Sequence, residues 1–199
     1  HGDDTITLGN SSIKDVYMAQ DASAKLHCAE VVGKDGTAAG GGINSVSPTI
    51  KVLTSNYIIT TTIIIDIAAR SGESDAIVSS GSSGNVIGES GEANAYLTRI
   101  TNAVNGFVYG GRIICVETPT TGDNDINVCA NSSQLAEGAA GEGEHVLADC
   151  GTQTSGTHTE FTIPSGGIDN DYIYLTHGTG ATGTYNAGKF VLIFYGTNF

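Results

Sequence analysis

Residues 57–68 read YIITTTIIIDIA, a run that is nearly all β-branched, contains no Gly or Pro, and carries one charge, Asp66. Branching at Cβ stiffens the first side-chain torsion and suits a pleated, packed surface better than a helix. With a period of two, Tyr57, Ile59, Thr61, Ile63, Ile65 and Ile67 share one face. Ile58, Thr60, Thr62, Ile64 and Asp66 share the other, which is mixed. The pattern predicts a central strand with its more apolar face in the core. Left at an open edge, such a strand would template aggregation, so the rest of the chain is expected to cover it.

Strand-like alternation recurs on both sides of this run. Residues 49–53 lead into it. Residues 95–100, 107–117, 125–130, 144–150, 158–163, 172–177 and 189–195 follow, separated by Gly-, Asn- and Thr-rich turns. Residues 71–91 (SGESDAIVSSGSSGNVIGESG) read as a surface excursion with short edge strands at Ile77-Val78 and Val86-Ile87. Residues 132–143 read as a loop, and no amphipathic stretch reaches the length of a long helix. The fold class expected is all-β, an antiparallel, jelly-roll-like β-sandwich of about 8 to 11 strands. Residues 1–42 differ in character. A short strand signal at Thr5, Ile6, Thr7 and Leu8, and a stretch with Ile13, Val16 and Tyr17 that reads as a strand or a helical turn, precede the loop GKDGTAAGGG. These residues read as an extended N-terminal arm with a Gly-rich hinge, joining the sheets of the 43–199 body or those of a neighbouring subunit.

Composition narrows the partners. Eight Lys+Arg against 21 Asp+Glu give a net charge of −13. Cations to neutralise phosphates are too few, so neither nucleic acid nor an anionic membrane is an expected partner. No run is long and apolar enough for a transmembrane helix. The chain starts at His1 rather than Met and shows no signal peptide, so a stretch trimmed, processed away or omitted ahead of it is expected. Four cysteines are few for a disulfide-built scaffold. Cys115 and Cys129 are equidistant from Gly122, so a hairpin turning there would place them opposite each other, as a disulfide or as two buried thiols.

Motifs for chemistry are weak. Residues 178–183 match G-x-G-x-x-G, and residues 183–189 match the start of a phosphate loop. In both cases a strand pattern follows where the phosphate would need a helix N-terminus, so the segment reads as a Gly-rich hairpin loop between the last two strands. Asp123, Asp125, Asp169 and Asp171 sit in turns where carboxylates could hold Ca²⁺, or could simply cap the turns. The EF-hand pattern fails after Asp123, with Val128 at the glycine position and Gln134 at the last ligand. His27, His145, His158 and His177 lie in separate segments without zinc-site spacing, and no G-x-S-x-G elbow occurs. No catalytic residue, cofactor or small-molecule substrate is expected.

Three ordered stretches carry a resemblance. They are NAYLTRITNAVNGFVYGGRIICVETPTTGDNDINV (94–128), ANSSQLAEGAA (130–140) and YIYLTHGTGATGTYNAGKFVLIFYG (172–196). They resemble a family of structural proteins from tailed phages of marine bacteria, and TTTIIIDI (60–67) resembles that family's middle section, so that the likeness extends over roughly two thirds of the length. The resemblance implies a β-sandwich virion component without enzymatic activity. Such a capsid decoration (cement) or tail-associated protein would work as a homo-oligomer through contacts with itself and with other virion proteins, such as the major capsid protein. The alternative expectation is an extracellular, pilin-like filament subunit whose arm completes a neighbour's sheet.

Overall fold

The computed structural model describes residues 34–35, 49–55, 57–68, 76–179 and 182–198. The arm's assembly-strand candidates Thr5, Ile6, Thr7, Leu8, Ile13, Val16 and Tyr17 lie outside the described residues, as do His27 and Cys28. Within the described residues the protein is all-β and antiparallel, with one helix of four residues.

In chain order the strands are β1 (Lys34–Asp35), β2 (Thr49–Ser55), β3 (Ile58–Asp66), β4 (Ile77–Ser79), β5 (Gly88–Glu89) and β6 (Thr98–Arg99). After the helix α1 (Asn102–Asn105) come β7 (Phe107–Thr120), β8 (Ile126–Asn131), β9 (His145–Ala148), β10 (His158–Thr162), β11 (Tyr172–His177), β12 (Gly183–Thr184) and β13 (Ala187–Thr197). They form a six-stranded sheet ordered β1-β2-β3-β13-β7-β10, a four-stranded sheet ordered β6-β11-β8-β9, and a three-stranded sheet ordered β12-β4-β5. Strand β1, inside the expected Gly-rich hinge, is paired with Lys51 and Val52 of β2 at the edge of the large sheet.

The expected parity of β3 holds along most of its length. Ile59, Thr61, Ile63, Ile65 and Ile67 are buried. Tyr57 departs from it. Ser55 pairs with Ile58, which leaves a two-residue hairpin in which Tyr57 takes φ +69° and is 77% exposed. Tight hairpins favour positive φ, and here that conformation takes the ring out of the core. Thr61 is a polar residue on the core face, and it accepts a 2.8 Å hydrogen bond from Asn105 Nδ2. That buried partner offsets the desolvation of the hydroxyl.

One apolar cluster draws side chains from all three sheets: Ile63, Phe190, Leu192 and Ile113 from the large one, Ile173, Leu175 and Val128 from the second, and Ile77 from the third. Glycine shapes its centre. Gly111 lies in register between Phe194 of β13 and Phe161 of β10. Lacking a side chain there, the two rings meet edge to face at 5.6 Å. A Cβ on Gly111 would run into the Ile193 carbonyl oxygen and the Phe161 ring.

Two expected hairpins are corrected. Strands β7 and β8 do not pair, because β7 is flanked by β13 and β10, and β8 by β11 and β9. The Gly-rich segment 178–183 likewise does not join a hairpin of β11 and β13, which lie in different sheets. It leads through β12, which pairs with β4, and then into β13 rather than a helix.

Gly111→Ala should destabilise by about 1–3 kcal/mol through overpacking. Ile63→Ala should cost about 2–5 kcal/mol through an unfilled cavity. Gly143→Ala, where a Cβ would meet nothing within 4 Å, should be neutral or stabilising by up to about 1 kcal/mol. Urea unfolding of the three variants checks this order.

Candidate functional site

The densest group of chemistry-bearing side chains lies where the ends of three elements meet. His177 closes β11, Asp123 sits in the turn between β7 and β8, and Ser79 closes β4. His177 and Asp123 are each 1% exposed, and His177 Nδ1 lies 3.4 Å from Asp123 Oδ2. His177 Nε2 is 3.0 Å from the Ser80 carbonyl oxygen. The Ser79 hydroxyl accepts hydrogen bonds from the backbone N–H groups of Asp123 (3.3 Å) and Gly183 (3.2 Å). Tyr185 is fully buried beside them, and burial pushes its phenol well above the ordinary range. A Cβ on Gly122 would lie 2.5 Å from the Tyr185 ring, which accounts for glycine at that position in the turn.

Ser, His and Asp side chains thus come together, but not as a nucleophile and its base. Both imidazole nitrogens are turned to oxygens other than a serine hydroxyl, and the group is shut away from solvent. A general base must reach its proton in a plausible substrate pose, and none of these atoms is accessible to one. The arrangement can act as a polar pin that joins the ends of all three sheets.

Three of the four aspartates considered for Ca²⁺ accept backbone N–H groups. Asp123 Oδ1 accepts the Asp125 N–H at 2.9 Å, and Asp169 Oδ1 accepts the Asn102 N–H at 2.8 Å. Asp125 Oδ2 accepts the Thr179 N–H at 3.3 Å. Burial, and after it the Glu144 carboxylate, push the Asp171 carboxyl above its ordinary value. Among the described residues no group of three or more His, Cys, Asp and Glu could hold a metal ion.

The disulfide alternative for Cys115 and Cys129 is corrected by the topology. Cys115 stands opposite Phe190 in the large sheet, while Cys129 stands opposite Tyr174 and Val146 in the four-stranded one. Both are buried free thiols, and Cys150 is also free. Burial raises all three thiols, Cys129 to about 12 and Cys150 to about 11.

A larger feature lies on the outer face of the six-stranded sheet. In the four-stranded sheet the central strands β8 and β11 are buried on both faces: Ile173 and Leu175 enter the main core, while Tyr174 packs with Val86 and Ala95 under the adjoining loops. The six-stranded sheet buries only one. On its other face Leu53, Ile58, Ile64, Phe107 and Tyr109 are 47–56% exposed, and Tyr57 at the hairpin tip more so. Val191, Ile193 and Tyr195 of β13 lie on the same face at intermediate burial, with the Tyr195 ring stacked 6.5 Å from that of Tyr109.

At one end of this face Lys189 Nζ lies 3.6 Å from Asp66 and 3.4 Å from Glu117. Asp66, then Glu117, hold the Lys189 amine above its ordinary value. A lysine and two carboxylates on adjacent strands have the residue types of an amide cross-link. That reaction needs a neutral amine, and this half-exposed, charge-paired one is held protonated.

The sequence left a trace of the apolar face, since isoleucines fall on both parities of β3 and apolar residues on both parities of β13. The meeting of His177, Asp123 and Ser79 had no such trace, because their segments are far apart in the chain. No family model, curated protein or solved structure matches the chain.

Two outcomes are expected. Native protein at pH 8 should resist iodoacetamide at Cys115, Cys129 and Cys150 until it is unfolded, and non-reducing peptide mapping should find no Cys115–Cys129 bond. For Asp171, a raised folded-state value means that the fold favours the neutral acid. That contribution is complete below the ordinary value of 3.8 and is lost as pH rises through the folded value. Asp171→Asn should therefore raise Tm at pH 7 and leave it unchanged in strong acid, as followed by circular dichroism.

Proposed function

We propose that the chain is a non-enzymatic structural subunit of a virion, a capsid decoration or other surface component of a tailed phage that works through subunit contacts. The observation that carries this reading is the large sheet's exposed apolar face, on a body whose cluster of Ser79, His177 and Asp123 is buried in a structural role. The ordered resemblance of residues 94–128, 130–140 and 172–196 to phage structural proteins points the same way. In this reading the two larger sheets form a jelly-roll-like sandwich, and residues 1–42 form an arm that grips neighbouring subunits or the major capsid protein. The acidic surface keeps particles dispersed and meets basic patches on a shell.

A second reading, an extracellular filament subunit, is favoured by one observation. Lys34–Asp35 already adds a short strand to the edge of β2, which is the mode by which a pilin-like arm would act on a neighbour.

Electron microscopy of the native assembly separates the two readings. Density on an icosahedral shell or tail is expected, and a fibre built of this chain alone would overturn the virion reading. Deleting residues 3–17 should abolish higher-order assembly, and normal assembly by the truncated chain would remove the arm's role in both readings.

A further inference from the structure

We infer that a second copy of this chain docks on the outer face of the six-stranded sheet, face to face across a two-fold axis. The docking rests on the structural-subunit reading for its biological purpose, but its physical argument is separate.

The face is large enough. Strand β3 has nine residues, about 30 Å at strand rise, and five strands from β2 to β10 span about 24 Å, giving roughly 700 Å². A stable interface buries about 600–1,000 Å² per partner, a range that this whole footprint, polar residues included, reaches. Two twisted sheets packed face to face interdigitate their side chains at a spacing of about 10 Å. Phe107, Tyr109 and Tyr195 supply the aromatic anchors, with Ile58, Ile64 and Leu53 around them.

Charge selects the occupant. Among the described side chains of this face, Arg112 and Lys189 stand against Asp66, Glu117 and Glu160, a balance of −1, while all the described side chains together carry 3 Lys+Arg against 13 Asp+Glu, a balance of −10. Most of the described excess acid therefore lies off the face. A basic partner would be drawn to that remainder and would gain little here. Another copy presents the same near-neutral face with its exposed apolar anchors, and a two-fold axis sets that face against itself. It also turns the two acidic bodies outward, where their repulsion is weakest.

Sedimentation equilibrium of the full chain tests the inference, with circular dichroism to confirm folding. The wild type should be a dimer. Ile64→Glu and Tyr109→Glu should each weaken it by at least about 30-fold, the effect of losing a buried anchor. Val146→Glu, which charges a residue 41% exposed on β9 of the other sheet, should leave the dimer intact. A wild-type monomer at high micromolar concentration, or a dimer that survives both substitutions on the face, would overturn the inference. So would a monomer in which hydroxyl-radical footprinting finds Phe107 and Tyr109 protected, since the chain's own residues 1–33 would then cover the face. Failure here leaves the microscopy result standing, and a dimer here beside a fibre of this chain alone in the micrographs would sink the functional reading alone.

Discussion

Strands β3 and β13 are joined by an unbroken register from Lys189 opposite Asp66 to Thr197 opposite Ile58. With a side-chain period of two, this ladder commits every residue of both strands to one face or the other, and a one-residue slip would turn the core side out. Ile63, Ile65, Phe190, Leu192 and Phe194 are all completely buried as a result. Strand β7 then locks onto the other edge of β13. Its Gly111 lets Phe161 of β10 reach Phe194, so the core extends sideways through a residue that has no side chain.

The other two sheets are held by different means. Apolar burial draws β8 and β11 onto the large sheet, but it is non-directional and does not fix where strand ends meet. The His177–Asp123 contact and the bonds around Ser79 supply that direction, at the point where β11, β4 and the turn after β7 converge. Buried polar groups are costly unless satisfied, so this cluster tolerates few other arrangements. Residues that could serve catalysis elsewhere are used here to specify a fold.

An asymmetry between the sheets connects the architecture to function. The central strands β8 and β11 of the four-stranded sheet are enclosed on both faces, while the six-stranded sheet keeps one apolar face in solvent. A monomer with no use for that face would be expected to carry polar side chains there. Rigidity follows from the long ladders, and the uncovered face is the surface on which the proposed association rests. Both properties suit the proposed structural role.

The sequence by itself determined the all-β class, the positions of nearly all the longer strands, and which isoleucines of residues 57–68 enter the core. Period-two alternation and β-branching are local properties, so they can be read without knowing any partner. The tertiary structure alone decided the strand partners. Strands β7 and β8 are neighbours in sequence and looked like a hairpin carrying Cys115 opposite Cys129. Both edges of β7 are taken by β13 and β10, so β8 is paired elsewhere and the thiols stay apart. The same holds for His177 and Asp123, joined only because their sheets end at one place. Local pattern records which face of a strand is apolar. Which strand lies beside it, and whether a second apolar face is covered, depends on competition among all the edges at once.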